Sequence, residues 1–184
     1  MKFNWEYIIN YIMEYDTGVP NTVILAVLAT VCGITLLLSL TSANGKVFIK
    51  NAAWCMLVGY LFLTMSATIL FREVSENMRY SFIPFLSYTQ LYNKLLAELI
   101  LNVAMFVPIG YLLGLAKKRM TFVKILKIGC FISLTIEILQ LFSRRGVFNI
   151  DDVIHNTLGC VIGFGIFKLA YALRTAYIKN WFNS

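Results

Sequence analysis

The sequence predicts an all-α fold: a polytopic helical bundle in a membrane, with about five transmembrane helices and an N-terminal amphipathic helix at the interface. Three observations carry this expectation. Of the 184 residues, 59% are hydrophobic and only 14% charged, and the mean hydropathy is +0.75, a composition unsuited to a water-facing globular surface. Several apolar runs are long enough to cross a hydrocarbon core of roughly 30 Å as a helix. The charges that remain are gathered between and at the ends of those runs.

The organisation reads as an N-terminal segment over residues 1–18 and a single membrane domain over 19–184. Lys2, Glu6, Asn10 and Glu14 recur every four residues on one helix face, while Trp5, Ile8, Ile9 and Ile12 line another. That pattern suits a helix lying in the interface, and the plainer alternative is a short disordered lead-in. One lysine among three acids in the first 16 residues is not a cleavable secretory leader. Thr22 to Leu40 and Ala52 to Phe71 are charge-free runs of 19 and 20 residues and read as plain anchors. Ala97 to Ala116, Phe122 to Phe142 and Val153 to Leu173 are as long but carry Glu98, Asn102, Pro108, Glu137, Gln140, His155 and Asn156. Charge in lipid is costly and turns inward towards a partner or a task, so these three are the working helices.

Basic residues set an expected topology. Lys46 and Lys50 follow the first span; Lys117, Lys118, Arg119, Lys124 and Lys127 join the third and fourth; Lys168, Arg174 and Lys179 lie towards the C-terminus. Those connections should face the cytoplasm. With five spans the N-terminus is outside and the C-terminus cytoplasmic, and all nine carboxylates fall in the outer half. A site at the extracytoplasmic face is one reading of this segregation; avoidance of the anionic inner leaflet is the other.

Depth and periodicity place the candidate residues. At 1.5 Å per residue, Glu98 and Asn102 lie within roughly 8 Å of the start of the third span, and Glu137 and Gln140 within about 8 Å of the end of the fourth. Asn156 lies about 5 Å inside the fifth. Glu98 and Asn102 share a face, as do Glu137, Gln140 and Arg144, and as do Asp152, Asn156, Gly159 and Gly163. The three stripes should converge on a small outward-opening cavity. Glu137 needs a proton or a basic partner, and Arg144 or Arg145 is the nearest in sequence.

Duller readings stand beside these. Asn149 and Asp152 form a helix N-terminal capping arrangement, Gly159-x-x-x-Gly163 is a close-packing signal, and Pro108 with Gly110 reads as a kink. The single histidine gives no metal site by the usual spacing. No phosphate-binding glycine loop, Gly-x-Ser-x-Gly elbow or His-Glu-x-x-His pair is present. Cys32, Cys55, Cys130 and Cys160 lie inside spans and read as buried free thiols. The net charge of +7 is accounted for by cytoplasmic lysines and membrane contact rather than by nucleic acid. No cofactor is expected, and the oligomeric state is left open.

Asn102-x-x-x-Phe106-x-Pro108-x-Gly110, then Glu137-x-x-Gln140, then Arg145-Gly146 with Asp151-Asp152 and Asn156-Thr157-Leu158-Gly159, together resemble the VanZ-like family, named for a teicoplanin resistance protein. The resemblance covers about Leu91 to Lys168. Asn149 stands where the family has an aspartate, and His155 where it has an aliphatic residue. The resemblance implies a small polytopic bacterial membrane protein that lowers sensitivity to teicoplanin-type lipoglycopeptides. Membrane lipids, a lipid-linked peptidoglycan precursor or the drug itself are the expected partners.

Two functional readings follow. In the first, a non-catalytic pocket built from Glu98, Asn102, Glu137, Gln140, Arg144, Arg145, Asp151, Asp152 and Asn156 recognises a head group or drug. In the second, a membrane enzyme uses Arg144 or Arg145 to hold a phosphate and Glu137 or Asp152 as general acid or base. Five spans without an inverted repeat speak against a transporter.

Overall fold

The computed structural model describes residues 4–42, 44–77, 79–81, 92–117 and 119–183. Lys2, Leu91 and Lys118 lie outside them. Among the described residues six α-helices follow in chain order: α1 (Trp5–Met13), α2 (Asn21–Thr41), α3 (Gly45–Met65), α4 (Tyr92–Ala116), α5 (Phe122–Ser143) and α6 (Ile150–Asn183). The all-α membrane bundle is as the sequence predicts. α2, α4, α6 and α3, the last with its extension to Leu70, make four helices long and apolar enough to cross a membrane. α5, the remaining expected span, has 22 residues and carries Lys124, Lys127 and Glu137.

The helix limits have local causes. Asn4, Asn44 and Thr121 cap α1, α3 and α5 by accepting from the backbone N–H of Tyr7, Lys46 and Lys124. α5 ends at Arg144 in the left-handed region, with φ 56°, and this reverses the chain into the next strand. α3 does not stop at Met65 but widens into a π-helical turn, Ser66–Leu70. Such turns leave carbonyls without their regular helical donors. Two three-residue strands, β1 (Arg79–Ser81) and β2 (Val147–Asn149), pair in parallel, with Tyr80 opposite Phe148. The sequence alone does not predict this pairing.

The bundle is centred on α4 and α6. A Cβ on Gly110 would overlap the Cys160 carbonyl, one on Gly163 the Val107 carbonyl and one on Gly159 the Val103 carbonyl. The close-packing reading of Gly159 and Gly163 therefore holds, and Gly110 belongs to the same seam. α4 is helical through Pro108. Phe106, Ile109, Leu113, Ile125, Ile136, Cys160 and Phe164 fill the core around the seam.

α1 departs from the expected interfacial helix in one respect. Ile8 is only 1% exposed, whereas Trp5 and Ile9 are 61% and 55% exposed, and α1 packs against α4. Its apolar face is thus divided between the protein and the outside. Cys160 is buried as expected, but Cys32 on α2 is exposed.

Candidate functional site

The three polar stripes meet at one end of the bundle. Asn102 from α4, Glu137 and Gln140 from α5, and Asp152 and Asn156 from α6 line a common cavity of about 330 Å³. The opposite wall comes from α3 and its π-turn, through Tyr60, Ala67 and Thr68, and from Arg72 just beyond the turn, while the segment after α1 adds Tyr15 and Thr17. Leu101, Met105 and Ile136 make the remaining surface apolar.

Glu137 is 2% exposed although it lies within a membrane-length helix. Its Oε2 accepts the backbone N–H of Asn149 at 2.9 Å, and the parallel strand pair fixes Asn149 in that place. Asn149 also caps α6: its Oδ1 accepts from the Asp151 backbone N–H at 3.1 Å. Its Nδ2 donates to Asp152 Oδ1 at 3.3 Å. One asparagine thus ties both cavity carboxylates to the start of α6, an arrangement that an aspartate could not reproduce because it lacks the donating amide.

Asp152 is more than a capping residue. It hydrogen-bonds Asn102, it lies within electrostatic range of Glu98 and Asp151, and it is opposed by the guanidinium of Arg72. Arg72 also acts on Glu137. Asn156 is 3% exposed; its Nδ2 donates to Ser133 Oγ at 2.8 Å, while its Oδ1 has no hydrogen-bond partner. A buried acceptor left unmet costs of order 1–3 kcal/mol. On the facing helix, Pro108 has no N–H to offer the carbonyl of Ala104, and Ala104 also lines the cavity.

The structure does not bring Arg144 and Arg145 to Glu137. Arg145 Nη1 donates to the carbonyls of Ile69, Leu70 and Arg72. It therefore terminates α3, where a cation meets the negative end of the helix dipole. Gln140 lines the cavity but spends its amide on the Thr68 carbonyl at 3.1 Å. Arg144 is an exposed helix terminus whose carbonyl accepts from the Ser75 backbone N–H at 2.7 Å. The cause is the left-handed turn at Arg144, which carries the following residue to α3 instead of back along α5.

Glu98 and Asp151 stand behind the cavity wall rather than in it. Glu98 accepts from the Tyr11 hydroxyl at 3.3 Å, which joins α1 to α4. Partial burial and then the Glu98 charge push the Tyr11 phenol up to about 12. Asp151 is 3% exposed and acts electrostatically on the buried His155. Among the described residues, no group of three His, Cys, Asp or Glu side chains is placed to hold a metal ion.

Sequence reasoning missed Arg72, Tyr60, Tyr15 and Thr17. Arg72 had a signal: it is the first charge after the apolar run ending at Phe71, at the same end of the bundle as Glu98 and Glu137. The sequence profile of the VanZ/LLP1 family matches residues 52–171. "Protein VanZ" of Enterococcus faecium is 37% identical over 73 residues, which cover 40% of this chain and 45% of that protein. The chain thus aligns with less than half the length of this curated relative. No solved structure matches.

Proposed function

The chain belongs to the VanZ/LLP1 family, and from that premise we propose that it is a multi-pass membrane protein of the bacterial cell envelope that lowers sensitivity to teicoplanin-type lipoglycopeptides. It acts by holding a lipid head group, a lipid-linked cell-wall precursor or the drug in the cavity between α3, α4, α5 and α6. The observation that carries this reading is the convergence of Arg72, Asn102, Glu137, Asp152 and Asn156 on one cavity. Polar groups in membrane helices are retained where they have a partner or a task, and Asn156 Oδ1 is a buried acceptor with no donor from the protein. The C-terminus is cytoplasmic and the cavity opens to the extracytoplasmic side, in keeping with the distribution of lysines.

Cells relying on this protein for teicoplanin tolerance test the reading. Glu137→Gln, Asp152→Asn and Arg72→Gln should each return sensitivity to the level of cells without the protein, at undiminished membrane expression. Full tolerance in all three would make the cluster structural.

A second reading is favoured by one observation: two carboxylates and a guanidinium face the same cavity. That set can hold a phosphate on Arg72 and move a proton through Glu137 or Asp152. Purified protein incubated with lipid-linked precursors and phospholipids would then yield a product detectable by mass spectrometry. Loss of that product in Glu137→Gln by about 10²- to 10⁴-fold, with binding retained, marks the enzyme.

A further inference from the structure

The balance of charge and of hydrogen-bonding groups in the cavity says which head group it takes. Glu137 and Asp152 face it, and Glu98 and Asp151 reinforce the negative field at Asp152. Among the described lining residues, Arg72 is the cation that opposes them. A ligand that is only an anion would meet one guanidinium and two carboxyl groups, with no second cationic side chain among the described lining residues to hold it.

The unsatisfied group points the same way. Asn156 Oδ1 is a buried acceptor with no donor. Glu137 has a donor in the Asn149 N–H and Asp152 has donors in Asn149 Nδ2 and Asn102, and a carboxylate can accept up to about four hydrogen bonds. The Ala104 carbonyl lacks its helical donor because Pro108 follows four residues later. The α5–α6 side of the cavity and the Ala104 carbonyl thus present acceptors without donors, and a protonated primary amine supplies three donors and a positive charge together.

Resting on the head-group reading above, we propose that the ligand is a zwitterionic, amine-bearing phospholipid head group. Its ammonium sits among Glu137, Asp152 and Asn156 Oδ1, and its phosphate lies on Arg72. The volume of about 330 Å³ falls in the range of small-molecule sites. Tyr60, Leu101, Met105 and Ile136 offer apolar wall to the part of the lipid that follows the phosphate. Two kinds of lipid share this chemistry: an ethanolamine ester and an aminoacyl ester of a glycerol head group.

The full chain in detergent, titrated with short-chain lipids and followed by native mass spectrometry, separates the possibilities. Dihexanoyl phosphatidylethanolamine and dihexanoyl alanyl-phosphatidylglycerol carry the amine. Dihexanoyl phosphatidylglycerol lacks it, and dihexanoyl phosphatidylcholine has a cation without N–H donors. At least one amine lipid should bind roughly 10- to 100-fold more tightly than the latter two, the worth of a charge-assisted contact, and the tighter of the pair identifies the source. Glu137→Gln should erase that preference, while Arg72→Gln should weaken every phospholipid alike.

Equal affinity across the four lipids would overturn the amine assignment and leave head-group binding intact. Binding of none of them would overturn the head-group reading and the inference with it. The wild-type series decides even where a variant does not fold.

Discussion

The Asn149 backbone N–H donates to Glu137 Oε2 at 2.9 Å, so the buried carboxylate of one helix is held by the residue that starts the next. The link depends on β2 lying in register against β1. The short sheet thereby ties the end of α5 to the start of α6, the two helices that carry the cavity carboxyl groups.

Arg145 and Arg72 should behave differently. Arg145→Ala removes the donor that terminates α3 and should cost about 1–3 kcal/mol of stability, read as a lower unfolding temperature in detergent. Arg72→Gln should abolish function with little change in unfolding temperature. The opposite assignment would return Arg145 to the site.

Close packing of α4 on α6 should be intolerant of a single methyl group. Gly163→Ala and Gly110→Ala each place a Cβ in the facing backbone and should destabilise by about 1–3 kcal/mol. A Cβ at Gly165 meets nothing within 4 Å, so Gly165→Ala should be neutral or slightly stabilising. Thermal unfolding of the three variants side by side checks the seam.

Docking of α1 should depend on pH through Tyr11. Its phenol is raised from 10.0 to about 12 in the folded protein, so the neutral form is favoured by folding. The contribution is complete below pH 10.0, the ordinary value, and is lost as pH rises towards about 12. Proteolysis within residues 14–20 should accelerate over that window, and Tyr11→Phe should abolish the acceleration.

Much of this was legible in the chain, for physical reasons. Apolar runs of membrane length fix the long helices, and polar residues at helical spacing mark the faces that turn inward, which is why Asn102, Glu137, Gln140, Asp152 and Asn156 are found together. Arg145 was misplaced because sequence neighbourhood does not show the left-handed turn at Arg144. The pairing of β1 with β2 joins residues far apart in sequence, and three-residue strands leave no periodic signal. Tyr15 and Thr17 reach the cavity only because Ile8 docks α1 on the bundle, and amphipathicity alone does not distinguish a lipid from a protein partner.

Topology is tested by labelling. In a cysteine-free background, a membrane-impermeant thiol reagent should modify a cysteine at Ser143 in intact cells, and one at Asn183 only after lysis. The reverse pattern would place the cavity on the cytoplasmic side and contradict a role in meeting drug or cell-wall precursor.

The proposed function requires that the cavity among α3, α4, α5 and α6 be occupied by a ligand. A crystal structure grown in a lipid mesophase doped with native lipids would reveal it. Head-group density within hydrogen-bonding distance of Arg72, Glu137 and Asn156 Oδ1 is the expected result. A cavity with ordered side chains and only water, with head groups bound elsewhere on the bundle, would contradict it.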